Sequence, residues 1–266
     1  MTQAKGERLD VYLAETGLAA SREKARALIM AGEVYVNNEP AAKPSLLITE
    51  KDEVRIKAQL PYVSRGGLKL EKAMVAFPID LQDKICIDIG ASTGGFTDCM
   101  LQKGARKVYS VDVGYGQLDY KLRTDPRVVV MERTNARFLS QDTVPDPIEF
   151  ASIDVSFISL KLIFPALHGL MAPDGHCVAL IKPQFEAGRE KVGKNGVVRD
   201  AAVHREVISG TLDAAQDLGF YPLGLTYSPI KGPKGNIEFL VYLAINPEKS
   251  MEFDVETILR EAHSLA

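Results

Sequence analysis

The stretch DIGASTGGFTD (residues 88–98) is the part of the sequence that decides the fold. It follows the apolar run KICI and precedes CMLQKGA, so the sequence predicts a strand, a glycine-rich turn and a helix. This arrangement is typical of a nucleotide cofactor site. The turn has Ser92 where dinucleotide sites have glycine, and Gly95 and Phe96 where phosphate loops have lysine and a hydroxyl residue. It is therefore glycine-rich without matching either phosphate-binding pattern.

From Lys69 onward, short apolar runs alternate with helical patterns. Seven strands are predicted, at KICIDI, KVYSVD, RVVVME, EFASID, HCVALI, PLGLTYS and IEFLVYLAI. Helical stretches such as FTDCMLQKGA, SLKLIFPALHGLM and DAAVHREVISGTLDAAQDLG lie between most of them. This alternation predicts an α/β domain with a parallel, doubly wound sheet. Because only the turn PIKGPKGN joins the last two strands, the last strand is predicted to be antiparallel.

The first 58 residues predict a separate small α+β domain. LDVYLAET predicts a short helix ending at Gly17, and Ser21 is the predicted N-cap of a second helix ending at Gly32. The run VYV, an Asn-Asn turn and two further short apolar runs predict a small sheet. Residues 59–66 contain proline and glycine and are predicted to be a linker, which leaves 67–266 for the larger domain.

The composition is that of a globular protein, with 266 residues, 46% hydrophobic and 25% charged. A formal net charge of -3 argues against indiscriminate nucleic-acid binding but leaves room for a local basic surface. The charged start and the lack of an apolar run of about 18 residues predict a soluble, cytoplasmic protein with no membrane association.

The cysteines and histidines predict neither a disulfide framework nor a metal site. Cys86, Cys99 and Cys177 have no CxxC spacing, so buried, reduced thiols are expected. The four histidines lack the spacing of common metal sites.

Polar residues close four of the predicted strands: Asp88, Asp112, Asp154 and Lys182. Ligands of doubly wound sheets lie over the carboxyl ends of the strands, so these residues are expected on one rim. Asp112 comes 24 residues after Asp88 and is placed to bind ribose hydroxyls, which indicates a nucleoside. Each residue alone could be a solvated strand end or a helix cap, but four on one rim favour a site.

A cofactor without phosphates fits the glycine-rich turn better than NAD or ATP. S-adenosylmethionine carries an adenosine, a sulfonium and an amino acid tail. Its site needs close backbone approach, which glycine permits, and acidic groups for the amine and the ribose. The turn, with Asp88 and Asp112, provides both.

Many motifs resemble one known family. VSRGGLKL, DIGASTGGFTD, VDVGYGQL, RTNAR, DVSFISL, IKPQFE and GNIEF, together with the N-terminal RLD, SREKARALI, GEVYVN and AKPS, are similar to the TlyA (hemolysin A) family. The resemblance covers nearly the whole chain. It implies a ribosomal-protein-type RNA-binding domain, a Rossmann-like FtsJ-type methyltransferase domain, and S-adenosylmethionine-dependent methylation of a ribose 2′-hydroxyl in ribosomal RNA. It suggests cytidines of small- and large-subunit rRNA, within ribosomal subunits, and no obligate protein partner is evident.

The resemblance also implies roles for individual residues. The FtsJ-type catalytic tetrad falls on Lys69, Asp154, Lys182 and Glu238. The expected cofactor-binding residues are Asp88, Gly90, Ser92, Gly94, Gly95, Phe96, Asp112 and Asn135, although Asn135 could equally be a turn residue. The expected RNA-binding residues are Arg8, Arg22, Lys24, Arg26, Lys43 and Arg65. Residues 1–57 contain nine Lys or Arg and nine Asp or Glu, so charge alone would favour a solvated helix there.

The tetrad suits methyl transfer to a weakly acidic hydroxyl. Lys182 is the predicted base or hydroxyl-activating group, with Lys69 nearby lowering its pKa and holding the target nucleotide. Asp154 and Glu238 are expected to orient the two ammonium groups. Plain salt bridges are the alternative, and because Asp154 opposes lysine deprotonation, the choice of base stays open.

Three other functions remain open from the sequence. A base N-methyltransferase would use the aromatic ring of DVSF to stack on a base, although Val155 and Ser156 replace the usual prolines. An RNA-binding assembly factor with an inactive site and a membrane-active hemolysin are the non-enzyme alternatives. The basic stretch FEAGREKVGKNGVVRD is either a loop that closes over RNA or a solvated insertion; its cations are Arg189, Lys191, Lys194 and Arg199.

Overall fold

The computed structural model describes residues 6–49, 51–56, 60–247 and 251–264. Contacts divide the chain into two compact units, Met1–Leu60 and Pro61–Ala266. The predicted boundary between residues 58 and 59 lies outside the described residues. None of the described helices combines the length and the hydropathy needed to cross a membrane.

The first unit is a small α+β structure, as predicted. Its two helices pack over two small antiparallel sheets around a core that includes Leu9, Leu13 and Leu28. One sheet pairs β1 with β4, and the other has the order β3-β2-β5. In chain order the elements are β1 Glu7–Arg8, α1 Leu9–Glu15, α2 Arg22–Met30, β2 Val34–Val36, β3 Glu39–Pro40, β4 Leu47–Ile48 and β5 Val54–Ile56.

Local chemistry explains where these elements begin and end. The Ser21 hydroxyl accepts a hydrogen bond of 3.1 Å from the backbone N–H of Lys24, which satisfies one free donor at the start of α2. Gly17 follows α1 with a φ of +75°. Asn37 and Asn38 have φ values of +51° and +69°, the left-handed conformation that a tight turn between β2 and β3 requires.

The second unit is a seven-stranded α/β structure in the order β11-β12-β10-β9-β6-β7-β8. β12 pairs antiparallel with both β10 and β11, while β10, β9, β6, β7 and β8 are parallel. The predicted fold class and the antiparallel last strand are therefore confirmed. The elements are α3 Gly66–Ala76, β6 Ile85–Ile89, α4 Gly95–Gln102, β7 Lys107–Val111, α5 Tyr120–Arg123, β8 Val128–Met131, β9 Ile148–Ile153, α6 Phe164–His168, β10 Met171–Ile181, α7 Pro183–Glu186, α8 Ala201–Asp217, β11 Tyr221–Tyr227, β12 Phe239–Ala244 and α9 Val255–His263.

The sheet is buried on both faces. Successive side chains of each strand point to opposite sides, and each side packs in an apolar cluster. Ile87 and Ile89 of β6 pack in one apolar cluster, and Cys86 packs in the other. All three cysteines are buried and free, as expected. The sheet is thus a rigid platform whose strand ends hold polar side chains in place.

Two segments differ from the sequence expectation. SLKLIFPALHGLM is not one helix: a 3₁₀ turn at Leu160–Leu162 precedes the five-residue α6. In the predicted linker at 59–66, Tyr62 is buried and the backbone N–H of Val63 donates to Asp98 over 2.9 Å. Residues 62–66 therefore belong to the second unit, because α4 presents a buried carboxylate to the backbone of Val63.

Candidate functional site

The carboxyl ends of the parallel strands carry two adjoining cavities. We call one the Asp112 cavity, with a volume of about 330 Å³, and the other the Lys69 cavity, with a volume of about 260 Å³. Gly90, Ser92 and Asp154 line both. The Asp112 cavity also has Asn135 and Phe157 in its wall, whereas the Lys69 cavity includes Arg65, Phe96 and Lys231.

The glycines of the turn are required by close backbone and side-chain contacts. Gly90 has a φ of +89°, and a Cβ atom there would lie 2.4 Å from the carbonyl oxygen of Asp154. At Gly94, with a φ of +96°, a Cβ atom would lie 2.2 Å from Cδ1 of Leu122. A Cβ atom on Gly95 would lie 2.7 Å from the backbone nitrogen of Gly67. These glycines thus bring the turn against β9, α5 and α3, and Gly94 faces apolar side chains rather than a cavity.

Asp88 lies inside the protein and not at a cavity surface. Its carboxylate is fully buried and accepts hydrogen bonds from the Thr97 backbone N–H (2.9 Å), the Thr97 hydroxyl (2.7 Å) and the Ser152 hydroxyl (3.1 Å). The side chain therefore ties the start of α4 to the sheet. Asp88 was expected to bind the cofactor; in this structure its carboxylate contacts protein donors and is not among the residues that line the two cavities.

The environment of Asp88 predicts a pH dependence of stability. Burial raises the pKa of this carboxyl to about 7, although the Thr97 and Ser152 hydrogen bonds oppose the shift. Because the folded-state pKa lies above the unfolded value of about 4, this group favours folding at low pH, and the benefit is lost as the pH rises toward about 7. An Asp88→Asn variant cannot ionise, so its free energy of unfolding relative to the native protein should rise between pH 4.5 and 7.5.

Urea unfolding at several pH values measures this change. Asp142→Asn, a change at an exposed carboxyl, is the control and should leave the pH profile as it is. Parallel profiles for the native and Asp88→Asn proteins would contradict the prediction.

Asp112 and Asn135 lie where the sequence placed them, beside the Asp112 cavity. The Asp112 carboxylate accepts from the backbone N–H groups of Ser92 (2.8 Å) and Gly114 (2.7 Å), and remains partly exposed. Ser92 has a φ of +50°, which directs its N–H toward that carboxylate. The Asn135 side-chain oxygen accepts from the Arg137 N–H over 3.1 Å. Asn135 is thus both the turn residue and a wall of the cavity.

The four tetrad residues lie together although they are far apart in the sequence. Lys69 Nζ is 2.8 Å from Glu238 Oε2 and 3.4 Å from Asp154 Oδ2. Lys182 Nζ is 2.5 Å from Asp154 Oδ1 and donates to the Ser156 hydroxyl over 3.0 Å. The carboxylate of Asp154 therefore bridges both ammonium groups, while Glu238 contacts Lys69 alone.

The two lysines differ in the number of their carboxylate partners. Burial lowers the pKa of Lys69, but the Asp154 and Glu238 carboxylates outweigh it and leave the pKa above its ordinary value. Lys69 is therefore held as an ammonium ion. Lys182 shares one of these carboxylates and has a neutral hydroxyl as its other partner.

Several residues around the site were not identified from the sequence. In the sequence Ser156 is only a departure from a base-methyltransferase motif, yet in the structure its hydroxyl accepts a hydrogen bond from Lys182 Nζ. Asn236 is buried; its amide donates to the Gly196 carbonyl (2.9 Å) and its oxygen accepts from the Val198 N–H (3.0 Å). It therefore ties the segment before β12 to the basic stretch at 185–200. The position of Asn236 in GNIEF, two residues before Glu238, was the available signal.

Aromatic side chains are exposed around the Asp112 cavity. Phe157 is 90% exposed, has a φ of +65°, and its ring centre lies 5.0 Å from that of Phe185. The Arg133 guanidinium lies 4.1 Å from the ring centre of Tyr115, which is also exposed. Solvent-facing rings suit stacking on nucleic-acid bases.

The cations expected to bind RNA are distributed over both units. Arg65 is exposed at the Lys69 cavity. In the first unit Lys24, Arg26 and Lys43 are exposed, whereas Arg8 and Arg22 both pair with Asp10. In the basic stretch, Arg189, Lys194 and Arg199 are exposed, and Lys191 pairs with Glu206.

Comparisons with known proteins agree with this arrangement. Residues 62–245 match the family model of FtsJ-like methyltransferases, and residues 7–54 match the S4 domain. "Putative rRNA methyltransferase YqxC" of Bacillus subtilis is 54% identical over 98% of this chain and 95% of its own. "16S/23S rRNA (cytidine-2'-O)-methyltransferase TlyA" of Mycobacterium tuberculosis is 41% identical over 93% of each chain.

A solved structure is similar over almost the full length. "Putative hemolysin from Streptococcus thermophilus" is 48% identical, has a TM-score of 0.76, and the match covers 99% of this chain and 98% of that one. The fold, the family models and the full-length relatives agree. The chain therefore belongs to the TlyA (hemolysin A) family and combines an S4 domain with an FtsJ-like methyltransferase domain.

Proposed function

We propose that this chain transfers a methyl group from S-adenosylmethionine to a ribose 2′-hydroxyl of ribosomal RNA, at cytidine in one or both ribosomal subunits. The observation that carries the proposal is the cluster of Lys69, Asp154, Lys182 and Glu238, in which Asp154 lines both cavities and Lys69 lines one of them. One cavity has the residues for a nucleoside cofactor, and the other is open beside exposed cations. A donor and an acceptor nucleotide can thus approach the same carboxylate, Asp154.

The Asp112 cavity fits the cofactor by size and by its polar groups. Its volume of about 330 Å³ lies within the range of roughly 300–1,000 Å³ for small-molecule sites. Asp112 is proposed to accept from ribose hydroxyls, and Asn135 to meet the adenine edge. Gly90 and Ser92 line both cavities, and their backbone lies where the two cavities meet. When bound, S-adenosylmethionine supplies an electrophilic methyl group on a sulfonium.

Other expected cofactor residues support the site indirectly. Asp88, Gly94 and Gly95 are proposed to shape the turn through their contacts with Thr97, Leu122 and Gly67. Phe96 is buried beneath the Lys69 cavity. Positioning of this kind governs rate, because reacting groups must be held within a fraction of an ångström.

The residues of the cluster have distinct proposed roles. A ribose hydroxyl is a weak acid, so alignment and a nearby proton acceptor both help its attack. Lys69 remains an ammonium ion between two carboxylates, and its role is to hold the target nucleotide. Lys182 has less carboxylate support and is the group we assign to activate the 2′-hydroxyl, with Asp154 and Ser156 orienting its Nζ.

Ribosomal RNA is the proposed substrate for three reasons. The chain has an S4 domain, it has exposed Arg65 and Lys231 at the Lys69 cavity, and its relatives are named rRNA methyltransferases. Phe157, which is exposed in the wall of the Asp112 cavity, is proposed to stack on an RNA base. A ribosomal-subunit context and a cytidine target follow the names of those relatives.

The test is to incubate the full chain with labelled S-adenosylmethionine and unmodified ribosomal subunits, assembled and naked, and to map the methyl group. Incorporation at a ribose 2′-oxygen is expected. Methylation of a base would instead make the enzyme an N-methyltransferase. Binding of RNA and cofactor without incorporation would make it an assembly factor. Lysis of cells by the purified protein, with no incorporation, would indicate a membrane-active hemolysin.

A further inference from the structure

Asp10, in the first turn of α1, is a fully buried carboxylate held by two arginines. Arg8 donates to it twice, from Nε to Oδ1 over 2.9 Å and from Nη2 to Oδ2 over 3.1 Å. Arg22, at the start of α2, donates from Nε to Oδ2 over 3.0 Å. The two guanidinium groups are thereby joined through one carboxylate, although their residues lie on different elements.

Both arginines keep donors free for a ligand. Their side chains are 42% and 55% exposed, while the carboxylate between them is inaccessible. The pairs engage Nε of each arginine and Nη2 of Arg8, so Nη1 of Arg8 and both Nη groups of Arg22 form no hydrogen bond to the described residues. By contrast, Lys24, Arg26 and Lys43 have no carboxylate partner among the parts of the chain that the structure describes.

Asp10 is charged under all ordinary conditions. The hydrogen bonds from Arg8, followed by the one from Arg22, lower the pKa of this carboxyl to about 2 in spite of its burial. The trio of side chains therefore carries one net positive charge, with the negative charge hidden and the positive charges outward.

We propose that Asp10 is a positioning residue for RNA binding: it fixes Arg8 and Arg22 side by side as a paired guanidinium site for backbone phosphate. The inference rests on the proposed function, because it names the partner as RNA. Fixing two flexible side chains in advance removes part of the ordering cost of binding, and planar guanidinium groups bind phosphate through two parallel hydrogen bonds.

Charge and positioning predict opposite results for one substitution. If Asp10 acted only through its charge, Asp10→Asn would remove a negative charge near the RNA and tighten binding. If Asp10 positions the arginines, the same change releases them and weakens binding. Glu23→Gln is the matched control, since it removes an exposed carboxylate beside Arg22 that forms no ion pair with the described residues.

The experiment measures the dissociation constant of the full chain for unmodified ribosomal subunits over a range of salt concentrations. We expect Asp10→Asn to bind about fivefold to tenfold more weakly. The slope of the logarithm of the binding constant against the logarithm of the salt concentration should fall by the amount expected for about one lost phosphate contact. Glu23→Gln should bind as tightly as the native chain or slightly more tightly. Asp10→Asn binding as tightly as the native chain, or more tightly, would overturn the proposal.

A second variant keeps the proposal testable if Asp10→Asn unfolds the first unit. Arg22→Lys keeps the charge and the buried carboxylate but loses the planar fork. It should also weaken binding, and combining it with Asp10→Asn should cost less than the sum of the two single effects. Native binding by Arg22→Lys would overturn the proposal as well.

Kinetics separate this inference from the proposed function. For Asp10→Asn we expect a raised KM for ribosomal subunits with an unchanged kcat, because the cluster around Lys182 is intact. If the native chain transfers no methyl group at all, the proposed function fails, whereas the binding measurements still test the role of Asp10.

Discussion

Lys182→Ala is expected to reduce methyl transfer by about 10²-fold to 10⁴-fold, the range typical of a lost general acid or base. The physical reason is that Lys182 Nζ is held by Asp154, which lines both cavities, and by Ser156, which lines the Asp112 cavity. Removal of its side chain leaves Asp154 paired with Lys69 and takes away no residue that lines the Asp112 cavity. S-adenosylmethionine binding should therefore be unchanged.

Single-turnover rates with labelled cofactor, together with a separate cofactor titration, measure the two quantities. Lys161→Ala removes an exposed lysine outside the tetrad and serves as the control, with a rate close to that of the native chain. Normal turnover by Lys182→Ala would refute the assigned role. Equal losses of rate and of cofactor affinity would instead make Lys182 a structural residue.

Gly90→Ala is expected to destabilise the second unit by more than about 3 kcal/mol and to abolish cofactor binding. A Cβ atom at this position would lie 2.4 Å from the Asp154 carbonyl oxygen, and neither strand end can move freely within a paired sheet. The φ of +89° adds the strain that an L-residue has in the left-handed region. Relief of the clash would displace Asp154 and with it both lysines.

Gly116→Ala separates strain from collision. Gly116 also has a positive φ, +70°, but a Cβ atom there would meet nothing within 4 Å. This control should lose only about 1–2 kcal/mol from backbone strain. Thermal or urea unfolding and cofactor titration of the two variants give the comparison. A Gly90→Ala protein as stable as Gly116→Ala would contradict the collision argument.

Much of the fold could be predicted because it depends on local patterns. Alternating apolar runs and helical periods are visible within windows of about ten residues, and they identified the strands of the sheet. Ser21, Gly17 and the Asn37-Asn38 turn mark element ends through backbone chemistry that acts over a few residues. The helix α3 was not identified, because its start at Gly66 lies in a glycine-rich stretch that reads as a linker.

The site was predictable where a residue ends a strand and less so elsewhere. Asp112, Asp154 and Lys182 end parallel strands, so sheet topology alone brings them to one edge. Lys69 and Glu238 are 169 positions apart and were assigned by resemblance to a family; their contact depends on the packing of α3 against the sheet. Asp88 ends a strand as well, yet its side chain turns inward to Thr97 and Ser152.

The sequence by itself determined the α/β class, the small N-terminal α+β unit and the set of polar strand ends, since all of these follow from local periodicity and turn chemistry. Only the tertiary structure decided which side chains share a carboxylate, that Lys69 lies between two carboxylates, and that Asp88 supports the turn from inside. The reason is that hydrogen bonds, burial and pKa depend on distances between segments remote in the chain, and these are set by packing in three dimensions.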